Sequence, residues 1–170
     1  MKFNSPTQEI TRLAAGLSLL VLDVDGVLTD GKLYYGSTGE EIKAFHILDG
    51  HGIKLLQAAG VRVAIITGRK SEPVARRAAE MGVELVFQGR EDKLAALQEL
   101  LQSLQIDASA TAYVGDDLLD LPALRAAGIG ITVPNGHKQV REAADLETDT
   151  EGGSGAVREV CDFLLETRQA

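Results

Sequence analysis

The sequence predicts an α/β fold: a Rossmann-like doubly wound parallel sheet carrying a β-hairpin after its first strand. Three observations lead there. Short, almost wholly apolar runs alternate with amphipathic ones along the chain, as in successive strand–helix–strand units. The first of these runs, "SLLVLDV" (18–24), reads as a strand covered on both faces, yet it ends in carboxylates. Finally, the segment 29–50 breaks the rhythm, because a short loop is usual between a strand and its crossover helix.

Taken in order, a helix over 6–15 precedes that first strand. Two β-prone pieces, "KLYYG" and "EEIKAFHI", then flank the turn-rich "GSTG" and predict a hairpin over about 30–48. A lone two-stranded hairpin is marginal in water, so this one is expected to rest on a neighbouring subunit. A helix over 52–59 leads to the strand "VRVAIIT" (61–67). The next helix, 71–81, has Ser71 at its start, Pro73 in its first turn and Gly82 just past its end. The strand "VELVFQ" (83–88), a helix over 92–104, the strand "TAYVGD" (111–116), a helix over 118–126 and the strand "GIGITV" (128–133) complete the alternation. A flexible "TEGGSG" precedes the last helix, "GAVREVCDFLLET", within a C-terminal helix and tail over about 155–170. No repeat or low-complexity tract interrupts the chain, and a single domain over 1–170 is expected.

The composition narrows the function. With 170 residues, 45% apolar content and a formal charge of -8, the chain can bury a proper core but presents no general surface for nucleic acid or anionic membranes. A single cysteine, Cys161, excludes an internal disulfide and reads as core filler in a reducing compartment. "MKFNSPTQEITRLAAG" lacks the apolar stretch of a signal peptide, and no run approaches the length needed to span a bilayer. A cytoplasmic location is expected.

In open α/β sheets ligands bind outside the carboxyl ends of the strands, so the residues there carry the chemistry. The first strand ends in Asp23 and Asp25, the second in Thr67, Gly68 and Arg69, and the fourth in "GDDLLD", with Asp116, Asp117 and Asp120; Lys93 opens the helix after the third. Carboxylates gathered at one edge repel unless a cation sits among them, and oxygen ligands select a hard ion such as Mg²⁺. Carboxylates, a hydroxyl, a lysine and Mg²⁺ together suit phosphoryl transfer. In that reading Asp23 is the nucleophile, and Asp25 protonates the leaving oxygen and later activates water. Thr67 and Lys93 hold the phosphoryl oxygens, and Asp23, Asp25 and Asp116 hold the metal. Asp120 reads as a partner of the metal site or of Lys93 rather than a direct ligand. Asp117 is either a third acid of the site or only the start of a helix. His51 and His137 read as surface loop residues, and Tyr34, Tyr35 and Phe45 as packing of the hairpin or a subunit interface. A phosphoacceptor signalling domain would use similar groups, but it places its acceptor on a later strand and has no acid two residues after it.

"DVDGVLTD", "IITGR", Lys93 and "GDDLLD", in that order, resemble the four motifs of the haloacid dehalogenase superfamily. Its dehalogenases lack the second aspartate of the first motif, so Asp25 implies a phosphatase. The hairpin alone fills the first insertion point of that superfamily, and 87–93 leaves no room at the second. The chain thus resembles the capless branch, which implies no cap domain and a homotetramer whose hairpins help wall the sites. "TDGKLYYGSTGEEIKAFHILDGHGIKLL", "TGRKSEPVARRAAEMG" and "GGSGAVREVCD" are similar to the phosphatases of 3-deoxy-D-manno-octulosonate 8-phosphate, a family of lipopolysaccharide precursor synthesis. That resemblance implies substrate contacts at Asp25, His46, Ile47, Leu48, Asp49, Gly50, Lys54, Arg69, Arg77 and Lys93. Phosphatases of nine-carbon keto-sugar acid 9-phosphates are the alternative, but typically carry glutamate where this chain has Arg69. Two positions depart from the family, His51 in place of an aromatic residue and Ser154 in place of a basic one.

Overall fold

The computed structural model describes residues 1–169. Its elements follow in chain order: β1 (Lys2–Phe3), α1 (Thr7–Ala15), β2 (Leu19–Leu22), β3 (Tyr34–Tyr35), β4 (Glu41–Ile42), α2 (Ile47–Ala58), β5 (Arg62–Thr67), α3 (Glu72–Met81), β6 (Leu85–Gln88), α4 (Lys93–Leu104), β7 (Thr111–Val114), α5 (Leu121–Ala126), β8 (Ile129–Thr132), α6 (Lys138–Ala143), β9 (Leu146–Glu147) and α7 (Ala156–Gln169). The central sheet runs β1-β9-β8-β7-β2-β5-β6, parallel throughout except for β1 against β9. From β2 the chain winds outward through β5 to β6, then returns to β7 on the other side of β2. The carboxyl ends of β2 and β7 therefore flank the switch in strand order, where a doubly wound sheet opens its crevice.

The two-sided burial of β2 explains its unbroken apolar run. Leu20 and Leu22 face one core with Ile53 and Leu56 of α2, Val74 and Ala78 of α3 and Val157, Val160 and Cys161 of α7. Leu19 and Val21 face the other, with Ala96, Leu97 and Leu100 of α4 and Leu124 of α5. Cys161 is fully buried, and burial pushes its thiol pKa up, as core filler requires. Among the described residues no helix is long and apolar enough to cross a membrane.

The predicted strands and helices are all present, with shifted ends. The expected helix 52–59 begins earlier, at Ile47 with His46 as its N-cap, so that Ile47 and Leu48, expected at the end of the hairpin, belong to its first turn. Gly50 and Gly52 obscure that start by lowering helix propensity. Gly52 is there for close packing: a Cβ would lie 2.9 Å from Arg158 Cδ and 3.1 Å from Cys161 Cβ of α7. Helix α5 starts at Leu121 instead of 118, since the preceding residues form a turn in which Asp120 N–H donates to the Asp117 carbonyl at 2.8 Å. Strands β1 and β9 and the six-residue α6 lie outside the expectations, being too short to display a period. The hairpin forms in the predicted place, Tyr34 opposite Ile42 and Tyr35 opposite Glu41. The hairpin leaves Leu33, Tyr34, Tyr35 and Ile42 exposed.

Candidate active site

Asp23 stands one residue beyond β2, and its N–H still donates to the Val114 carbonyl of β7 at 3.0 Å. That bond carries the ladder past the strand's end and turns the buried carboxylate into the crevice. The chain then reverses sharply, with the N–H groups of Val27, Leu28 and Thr29 all donating to the Val24 carbonyl. Gly26, at φ +93°, permits both this turn and the approach of the neighbouring loop, because a Cβ here would lie 2.0 Å from Asp116 Oδ2. The "DG" of the sequence is thus a close-approach glycine as well as a turn.

Lys93, at the first turn of α4, reaches between two acids. Its Nζ lies 2.9 Å from Asp23 Oδ1 and 2.6 Å from Asp120 Oδ1. Asp120 is fully buried and fully occupied: Oδ1 also accepts from the Tyr113 hydroxyl at 2.8 Å, and Oδ2 from the N–H groups of Asp116 and Asp117 at 3.2 and 3.1 Å. It orients Lys93 and shapes the Asp116 loop. The loop is tied further by His137 N–H to the Asp116 carbonyl at 2.7 Å and by Thr132 Oγ1 to the Gly115 carbonyl at 2.7 Å. Asn135 bridges Gly26 and Gly152 from the other side. Sequence reasoning missed Thr132 and Asn135, single polar side chains at a strand end and in a loop that carry no periodic signal.

Asp23, Asp116 and Asp120 each bring a carboxylate oxygen within 4.8 Å of the others. Burial, reinforced by the charge of Asp120, pushes Asp23 well above the usual carboxylate range against the pull of Lys93. The same two causes, in the same order, push Asp116 up to about 7. On Lys93 burial acts downward, but the charges of Asp23 and Asp120 outweigh it and raise the ammonium pKa. With all three carboxylates ionised, the one ammonium leaves a deficit of two positive charges, and Asp116 Oδ1 is buried without a hydrogen-bond partner. A hard divalent cation fits both facts.

The carboxylate of Asp25, expected to share the metal, lies outside this trio. Lys43 of the hairpin holds Asp25 Oδ1, and Arg69 Nε lies 3.9 Å from Oδ2. Thr67 is buried at the end of β5, on the edge that also carries Asp23. Asp117 is exposed, its Oδ1 accepting from Leu118 N–H at 2.8 Å, which makes it a turn residue.

The remaining residues form a second group. Arg77 donates to the His46 carbonyl at 3.3 Å, and Asp49 Oδ1 accepts from Arg158 N–H at 2.8 Å. His46 Nδ1, Asp49 Oδ2 and Arg77 Nε are buried without partners. Ile47, Leu48 and Lys54 are exposed on the same helix, with Gly50 buried under Arg77. Among the described residues, no hydrogen bond or ion pair links this group to Asp23, Asp25, Lys93 or Asp116.

Comparison with known proteins agrees with the motif pattern. Residues 81–160 match the family model of haloacid dehalogenase-like hydrolases. The 3-deoxy-D-manno-octulosonate 8-phosphate phosphatase of Escherichia coli (strain K12) is 46% identical over 157 residues, covering 92% of this chain and 84% of that protein. The crystal structure of the Moraxella catarrhalis phosphatase of that name, in complex with magnesium ion, phosphate ion and KDO, superposes with a TM-score of 0.94 at 48% identity, covering 96% of this chain and 94% of that one. The cobalt-bound Haemophilus influenzae phosphatase gives 0.89 at 41% identity, covering 92% of each chain.

Proposed function

This chain belongs to the haloacid dehalogenase-like hydrolases, and within them to the 3-deoxy-D-manno-octulosonate 8-phosphate phosphatase family; from that premise we propose that it releases phosphate from 3-deoxy-D-manno-octulosonate 8-phosphate with Mg²⁺ as cofactor. The observation that carries the chemistry is the crevice in which Lys93 grips Asp23 beside Asp25 and Asp116. Asp23 attacks phosphorus and forms an aspartyl phosphate, while Asp25 hands its proton to the departing sugar oxygen. Asp25 then takes a proton from the water that releases phosphate. Thr67 and Lys93 hold the phosphoryl oxygens, and Asp23 and Asp116 hold the metal. The bound cation supplies charge neutralisation for the phosphoryl group. The enzyme serves lipopolysaccharide precursor synthesis in the cytoplasm, as one phosphatase domain.

Phosphate release across a panel of sugar phosphates, the eight- and nine-carbon acids side by side, tests this reading. The eight-carbon acid is expected to give the highest kcat/KM, and chelation of the metal to stop release. Preference for the nine-carbon acid would overturn the substrate assignment, and no release from any sugar phosphate would overturn the enzyme.

The second group of residues gains a role in a homotetramer. His46, Asp49 and Arg77 hold buried polar atoms without partners, and exposed Ile47 and Leu48 and the exposed hairpin residues Tyr35 and Ile42 call for cover. Packing this turn and the hairpin against a neighbouring subunit, beside its substrate site, covers the exposed apolar side chains. Light scattering at micromolar concentration is expected to show a tetramer that Ile42→Asp dissociates; a stable monomer of the parent chain would overturn the assembly.

A further inference from the structure

Lys43 belongs to neither group of expected residues, yet its side chain is 1% exposed and faces the carboxylate of Asp25. A buried ammonium is costly unless anions meet it. The structure supplies two, Asp25 Oδ1 in direct contact and Glu41 Oε1 at 3.6 Å. Glu41 is itself anchored to the body of the protein: Arg69 donates to its Oε1 at 2.9 Å, and the Ser71 hydroxyl to its Oε2. The alternation of an extended strand explains the arrangement. Glu41 and Lys43 share the inward side while Ile42, between them, points to solvent. The hairpin is thus amphipathic in reverse, with its charged side aimed at the crevice.

We propose that Lys43 is a positioning residue for Asp25, the hairpin's own contribution to the crevice of the same chain. The inference rests on the phosphatase reading, in which Asp25 is the acid and base. Lys43 takes Oδ1 and so fixes the carboxyl rotamer, leaving Oδ2, 3.9 Å from Arg69 Nε, as the oxygen that serves the leaving group. In the first step the Asp23–phosphorus bond forms as the bond from phosphorus to the sugar oxygen breaks. The proton on Asp25 Oδ2 moves to that oxygen, and the carboxylate left behind is stabilised by the ammonium of Lys43. Glu41 Oε1, 3.6 Å from the Lys43 ammonium, gives it a second anion that holds it in place.

The test exploits the leaving group. An alkoxide leaving a sugar phosphate needs the proton from Asp25, whereas nitrophenolate leaving p-nitrophenyl phosphate needs it little. Lys43→Met is expected to lower kcat for the eight-carbon sugar acid phosphate by about 10- to 100-fold with KM nearly unchanged, and for p-nitrophenyl phosphate by less than about 3-fold. Lys43→Arg should restore part of the loss. Equal losses on both substrates, a rise in KM alone, or no change would overturn the proposal while leaving the phosphatase reading intact. That reading falls instead if the parent enzyme releases phosphate from neither substrate. Should Lys43→Met fail to fold, Glu41→Gln decides: a smaller loss with the same substrate dependence supports the role, and a loss equal on both substrates refutes it.

Discussion

Asp23→Asn is expected to reduce phosphate release by about 10⁴-fold or more, while the chain unfolds no more easily than the parent in metal-free buffer. The catalytic loss follows from the amide, which is no nucleophile toward phosphorus. The retained stability follows from the charge balance of the crevice, where Asp23, Asp116 and Asp120 crowd around the one ammonium of Lys93. Asparagine keeps the shape of Asp23 and an oxygen for Lys93, and Lys93 still has Asp120 at 2.6 Å. Removing one of three mutually repelling carboxylates therefore relieves strain more than it removes attraction. Single-turnover phosphate release and a thermal melt check both halves. Release above about 1% of the parent's would remove Asp23 from the nucleophile's role. A lower melting temperature would mean that its charge is needed to hold Lys93.

The residues of this crevice were legible because each stands at a boundary that the sequence marks. Asp23 and Asp116 directly follow apolar runs, and Lys93 follows the helix N-cap Asp92, whose carboxylate accepts from Ala95 N–H at 2.9 Å. A doubly wound sheet brings such boundaries to one edge whatever the details between them. Lys43 was not legible in the same way, since a lysine in a turn-rich insertion reads as solvated. Its signal was the charged–apolar–charged run Glu41-Ile42-Lys43, which acquires meaning only once the apolar member is seen to face outward. The first turn of α2 was obscured for an opposite reason. Its glycines speak against helix locally, and the packing of α7 against Gly52, together with Asp49 accepting from Arg158 N–H, overrides that preference. Residues 46–50 were expected to contact substrate; in the structure they form the start of α2, and among the described residues none of them is hydrogen-bonded or ion-paired to Asp23.

Lys93→Met is expected to cost both activity and stability, and the two losses can be separated. Methionine matches the length of the lysine stem but leaves Asp23, Asp116 and Asp120 facing one another in a dry crevice without an ammonium. Removing one partner from a buried ion pair typically costs about 3–5 kcal/mol. For a chain of this size that corresponds to a fall of roughly 6–20 °C in the melting temperature in metal-free buffer. Excess Mg²⁺ should narrow the deficit relative to the parent, because a divalent cation binds the folded carboxylates more strongly once the competing ammonium is gone. Adding Asp120→Asn to Lys93→Met should recover part of the stability, since Asp120 is the acid that Lys93 approaches most closely, at 2.6 Å. Turnover should stay at least about 10³-fold below the parent's in both variants, because the ammonium that held the phosphoryl oxygens is absent in each. Melts with and without Mg²⁺, run beside phosphate release, distinguish the roles. A Lys93→Met variant as stable as its parent without metal would show that the carboxylates are neutral in the folded chain, and substantial turnover would remove Lys93 from the phosphoryl site.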